Sequence, residues 1–143
     1  MKKQNNGHII NISSGASGWP GANEIIYGTA KTAQTKLTMH TKFEFDLENK
    51  IRDNNNLPKG EFFVHALLPG CIDTPMSDDL GRPKDKRENY LKPENLSDTI
   101  INLLENPEKG YDELEIEAEK LDYNIGSPGY FQDYKFVIQI WKD

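Results

Sequence analysis

The chain has 143 residues, 36% hydrophobic and 28% charged, enough apolar mass for one modest core and too much for wholesale disorder. Lys plus Arg is 17 against 23 for Asp plus Glu, a formal charge of −6, which argues against a nucleic-acid footprint built on clustered cations. No apolar run approaches the ~20 residues of a membrane helix, and a lone cysteine, Cys71, fits a reducing, cytoplasmic setting.

Met1-Lys2-Lys3 is basic, but polar Gln4-Asn5-Asn6 follows it instead of an apolar stretch, so no signal peptide is read. His8-Ile9-Ile10-Asn11-Ile12-Ser13, entered through Gly7, reads as a short buried strand. Residues 14–21 are small and glycine-rich, a loop by composition. Helical periodicity takes over from residue 23 to residue 53. Ile26, Ala30, Ala33 and Leu37 recur at i, i+4, i+7 and i+11, one face of a helix, and Phe43, Leu47 and Ile51 extend it. Three Asn and a Pro-Lys-Gly close the helix. Phe62-Phe63-Val64-His65-Ala66-Leu67-Leu68 is a second buried strand, stopped by Pro69-Gly70.

Residues 73–92 carry charge, Gly81 and two prolines and read as a mobile, partly helical loop. Pro93-Glu94 opens a second amphipathic helix with Leu96, Ile100, Leu103 and Leu104 inward, closed by Asn106-Pro107. Residues 113–118 alternate as a third strand, and Tyr134, Phe136, Ile138 and Ile140 predict one face of a tail strand. Strand, helix, strand, helix, strand implies an α/β layer structure with parallel strands.

Tyr27 and Lys31 stand four apart on a helix, hence on one face. An ammonium beside a phenol favours the phenolate, the condition for proton transfer near neutral pH. The same spacing also occurs as a surface or packing pair. Ser14 lies thirteen residues before Tyr27, at the exit of the first strand, and Pro69-Gly70-Cys71-Ile72-Asp73-Thr74 lies at the exit of the second. Exits of neighbouring parallel strands adjoin, so these groups are expected to face one crevice.

Three segments, Gly7-His8-Ile9-Ile10-Asn11-Ile12-Ser13-Ser14, Tyr27-Gly28-Thr29-Ala30-Lys31 and Leu68-Pro69-Gly70-Cys71-Ile72-Asp73-Thr74-Pro75-Met76, resemble the short-chain dehydrogenase/reductase family in content and order. The resemblance spans residues 7–118 and corresponds to the C-terminal half of the family's doubly wound, Rossmann-like parallel sheet. It implies an NAD- or NADP-dependent oxidoreductase acting on a small carbonyl or alcohol. Tyr27 would be the general acid/base, Lys31 would bind the nicotinamide ribose and assist Tyr27, and Ser14 would orient the substrate oxygen. Pro69, Gly70, Ile72 and Thr74, with Tyr27 and Lys31, would contact the cofactor's nicotinamide end. In this family the loop after Thr74 covers the substrate.

The departures are as specific. The family's glycine-rich phosphate turn, the residue that selects NAD or NADP and a catalytic Asn belong to its N-terminal half, which has no counterpart here. Gly15, Gly18 and Gly21 have the spacing G-x-x-G-x-x-G, so they are read as the loop after the Ser14 strand and not as a dinucleotide turn. The interval from Tyr27 to Pro69 exceeds the family's, with the excess at residues 50–60, and residues 123–143 read as a C-terminal extension to a partial domain at 1–122. A strand drawn from the middle of a sheet would expose an unpaired edge, a place for self-association. The chain is therefore expected to form a homo-oligomer or to be completed by an N-terminal half. The alternative is a non-catalytic interaction module using the long helix for pairing. His8, His40 and His65 lack ligand spacing, so no metal is expected. Cys71 reads as a small packed residue, and Trp19 and Trp141 as packing or pocket lining.

Overall fold

The computed structural model describes residues 1–109, 123–126, 128, 131 and 134–142. The strand expected at 113–118 lies outside them. β1 (Asn6–Ile12) leads through a 3-10 turn at Gly15–Ser17 to the long α1 (Ile25–Asn54) and then β2 (Glu61–Pro69). The short α2 (Pro75–Asp79), a 3-10 segment (Lys84–Asn89) and α3 (Pro93–Glu105) follow, then β3 (Asn124–Gly126) and β4 (Val137–Trp141). The strands make one open sheet in the order β1-β2-β4-β3. β1 and β4 both run parallel to β2, and β3 is antiparallel to β4. This is the expected α/β layer structure with a mostly parallel sheet, compatible with part of a Rossmann-like fold.

β2 is central and buried on both faces, which is why its sequence is a continuous apolar run. Val64, Ala66 and Leu68 meet α1, while Leu67 joins Leu91, Leu103, Ile138 and Ile140 on the α3 side. The tail strand begins only at Val137, so its expected single face divides. Ile138 and Ile140 lie on the α3 side, but Tyr134 and Phe136 pack with Val137 against Met39 on the other.

The apolar stripe of α1 is not its core-facing side. Ile26 is 87% exposed and Leu37 63%, and Phe43, Leu47 and Ile51 are each about half exposed. Thr35, Thr38, Met39 and Phe45 are the buried ones. The reason lies in β1, whose α1-facing end is polar. Asn11 donates to Thr38 Oγ1 at 2.9 Å, and Thr35 Oγ1 donates to Ser13 Oγ at 2.7 Å. Buried polar groups need partners, so the helix turns its hydroxyls inward and its aliphatic stripe faces out.

α1 ends where expected. Asn56 adopts a left-handed φ of 55°, and the Asn49 side chain exchanges two hydrogen bonds with Gly60, pinning the return to β2.

Candidate functional site

Ile12 pairs with Leu67, so Ser13 and Ser14 leave the sheet beside Leu68 and Pro69. Gly15 sits so close that a Cβ there would lie 3.7 Å from the Pro69 carbonyl oxygen. The two strand exits therefore adjoin, as expected. Ser14 Oγ accepts a hydrogen bond from the Ala16 N–H at 3.2 Å, starting the 3-10 turn. Accepting there leaves the hydroxyl proton free to be donated elsewhere.

The first turns of α1 are anchored to that turn. Thr32 Oγ1 donates to the Ser17 carbonyl, and Gly28 has no side chain where a Cβ would stand 3.3 Å from the Ala16 carbonyl. This anchoring delivers Lys31 to the end of β1. Its half-buried ammonium donates to the Ile12 carbonyl and to Gln34 Oε1, each at 3.0 Å. The Ser13 N–H bonds Leu67 O at 2.7 Å, so by the alternation of a parallel ladder the Ile12 carbonyl faces away from β2. Lys31 thus covers a carbonyl on the open edge of the sheet.

Tyr27 occupies the first turn of α1, one turn before Lys31 and 49% exposed. Its hydroxyl makes no hydrogen bond among the described residues. Pro69 ends β2, and the Gly70 N–H donates to Ile140 O at 2.7 Å. Ile72 bridges to Leu91 and packs its side chain into the α3-side core. Thr74 precedes α2 in extended backbone with its side chain not used as a cap. The loop that follows is fastened by charge. Arg87 pairs with Asp78 at 2.8 Å, and Lys92 with Asp73 at 2.7 Å. The Arg87 hydrogen bond holds the Asp78 carboxyl below its ordinary range.

A cavity of about 570 Å³ opens between residues 16–21, Glu24, Ile25 and Phe131. It adjoins the opposite flank of α1, through Gly28, Thr29 and Thr32, and neither Ser14, Tyr27 nor Lys31 lines it. Trp19 lines it and is 53% exposed. Cys71 is exposed and not packed, with the Arg82 guanidinium against its sulfur.

Two features escaped the sequence reading. Gln34 at Lys31 is one. The other is a contact between His8 Nε2 and His65 Nδ1 at 2.8 Å, at the opposite end of the strands. Burial, then repulsion from His8, pushes His65 down to about 4. Burial also lowers His8. Only the strand register reveals this pair: His8 is partnered by Phe63, and His65, two residues further along β2, stands beside Ile10, so the two imidazoles are diagonal neighbours on one face. No group of three or more metal-ligating side chains occurs among the described residues, and none of their helices is long and apolar enough to cross a membrane.

A family model described as short chain dehydrogenase matches residues 1–85. The chain is also similar to uncharacterized oxidoreductases from two strains of Staphylococcus epidermidis, 29% identical over 109 residues. The match covers 75% of this chain and 40% of each relative, so the chain spans well under half the length of these curated relatives.

Proposed function

Because the chain belongs to the short chain dehydrogenase family, we propose that it carries the proton-transfer and nicotinamide end of an NAD- or NADP-dependent oxidoreductase acting on a small carbonyl or alcohol. The observation that carries this reading is Lys31. Its ammonium is held at the end of β1, two residues from Ser14, on the same helix face as Tyr27.

The donor set suits the nicotinamide end of such a cofactor. An ammonium has three N–H groups, and Lys31 uses two, leaving one for a ribose hydroxyl. The Ser14 proton is free to point at a substrate oxygen, and the Tyr27 hydroxyl is unengaged and open to a ligand. Pro69, Gly70, Ile72 and Thr74 lie at the adjoining strand exit. When bound, the nicotinamide supplies hydride chemistry. The chain's part is to move a proton at Tyr27 Oη, to orient the oxygen through Ser14 and to place positive charge at Lys31.

Among the described residues no short glycine-rich strand-to-helix turn is present to hold the phosphate end. Gly15, Gly18 and Gly21 lie in the long connection at residues 13–24, not in a short strand-to-helix turn. On this reading residues 7–118 take the place of the C-terminal half of the family's domain. Phosphate binding belongs to another segment, in a longer chain or a second polypeptide. β1 is the natural junction, since it is an Ile-rich edge strand of this sheet.

Fluorescence titration with NADH and NADPH tests the reading. Saturable binding abolished by Lys31→Met is expected wherever the phosphate-binding segment is present. In that assembly Tyr27→Phe should lower turnover by about a hundredfold or more, with cofactor affinity nearly unchanged. Turnover retained in Tyr27→Phe removes the proton-transfer role.

The second reading is a non-catalytic pairing module. The outward aliphatic stripe of α1 favours it, because Ile26 and Leu37 are mostly exposed and Leu47 and Ile51 about half exposed. Association that survives Lys31→Met and Tyr27→Phe, without any nicotinamide binding, would support that reading over the first.

A further inference from the structure

We infer that Gln34 is a positioning residue for the Lys31 ammonium. The inference rests on the reading of Lys31 as a ligand-binding group and adds the residue that aims it. A lysine side chain has a flexible four-carbon stem and a freely rotating head, so charge alone does not direct its donors. Here two of the three donors are committed. One goes to the Ile12 carbonyl on the open edge of β1, and one to Gln34 Oε1 a single turn further along the helix, both at 3.0 Å.

The two acceptors lie on different elements. One belongs to the strand and the other to the helix, so together they span the junction at which Ser13 Oγ also bonds the Lys31 carbonyl. Two fixed bonds at a tetrahedral nitrogen leave the third N–H with one direction. The amide orientation follows from chemistry, because an ammonium only donates and must face the amide oxygen. Ile12 acts through its backbone, so Gln34 is the part of the clamp that a side-chain substitution can change. Its other neighbours place no demand on the amide. Thr38 Oγ1 donates to the Gln34 main-chain carbonyl, which any residue supplies.

The test uses the full chain carrying Gln34→Leu, Gln34→Glu or Lys31→Met. Leu matches the volume and helix propensity of Gln but offers no acceptor, whereas Glu keeps one. The first readout is the ¹⁵Nζ ammonium spectrum of lysine-labelled protein, with the Lys31 signal identified by its loss in Lys31→Met. A hydrogen-bonded ammonium exchanges its protons slowly. Gln34→Leu is expected to speed Lys31 exchange about tenfold, the scale of one hydrogen bond to a charged group, and Gln34→Glu to restore slow exchange. Unchanged Lys31 exchange in Gln34→Leu, with the fold intact by circular dichroism, overturns the inference.

The second readout is NADH titration of the same proteins. Weaker binding in Gln34→Leu with rescue in Gln34→Glu supports the clamp as part of the site. Equal binding by wild type and Gln34→Leu overturns that role. If wild type shows no saturable binding while the exchange result holds, Gln34 still positions Lys31, and it is the nicotinamide reading of this chain that fails.

Discussion

α3 and α1 cover opposite faces of one sheet by opposite means. α3 puts Leu103, fully buried, and Thr99 against the sheet, with Leu96 and Ile100 packed beside them on Leu67, Ile138 and Ile140. α1 puts Thr35 and Thr38 against the end of β1, and its Ile and Leu side chains face outward. The difference originates in the strands. On the α3 side the residues to be covered are mainly aliphatic. On the α1 side the end of β1 and its exit carry Asn11 and Ser13, whose side chains need hydrogen bonds once water is removed. A helix must complement the face it covers, whatever its own most apolar side is.

The sharpest way to break this contrast is to make the same deletion on both helices. Leu103→Ala should cost about 2–5 kcal/mol of unfolding free energy, since it empties a site walled by the core. Leu37→Ala, on the outward stripe, should fall within about 0.5 kcal/mol of wild type. Urea denaturation of the two variants measures both. Comparable losses would mean that the stripe of α1 is covered by something.

The α3 side of the sheet is not wholly apolar, because His65 shares its face with Leu67, and this sharpens the comparison through pH. His65 is held at about 4 by burial and by the neighbouring His8, against 6.5 for the free side chain. The unfolded chain therefore binds more protons between these values, and stability should fall as pH drops from 6.5 towards 4. The loss from this group is about 3 kcal/mol, complete near pH 4 and absent above pH 7. Denaturation midpoints measured across that window check it. His65→Phe should flatten the slope, and an unaltered slope in that variant would assign the proton uptake elsewhere.

Thr35→Val tests the polar half of the contrast. Valine fills the same space, but it withdraws the hydroxyl that donates to Ser13 Oγ in a fully buried position. A cost of about 1–2 kcal/mol is expected. If this variant is as stable as wild type, hydrogen bonding is not what turns α1 towards β1.

What the sequence made legible follows the same division. The two strands and both helices were readable, because local periodicity specifies them; of Ser14, Tyr27 and Lys31 the sequence carries only the spacing. Leu103 was correctly placed inward, with Leu96 and Ile100 packed beside it, whereas Leu104, expected on the same side, is 57% exposed; on α3 the most apolar side and the buried side nearly coincide. On α1 they do not, and periodicity reports only where the apolar side is. The cue for the right answer was present in Asn11 and Ser13, polar residues on a strand whose helix-facing side had to be matched. Gln34 was beyond reach, because its role depends on where a flexible lysine head comes to rest. The His8–His65 contact likewise needed the register of two strands separated by a thirty-residue helix.

The smallest expected effect on stability belongs to Leu37→Glu, and it separates the two functions available to α1. A charge at a position that is 63% exposed should leave the unfolding midpoint of the monomer nearly unchanged. If the outward stripe pairs with another helix, the same charge would be buried without a partner and should dissociate the pair, visible as a fall in sedimentation-equilibrium mass. The Lys31 ammonium bonds the Ile12 carbonyl on β1, and Leu37 lies six residues further along the helix and about a third of a turn round it, so nicotinamide binding should survive the substitution. Loss of association with binding retained would make α1 a helix with two independent tasks, one on each side. Loss of both together would mean that the site at the end of β1 forms only when the outward side is covered.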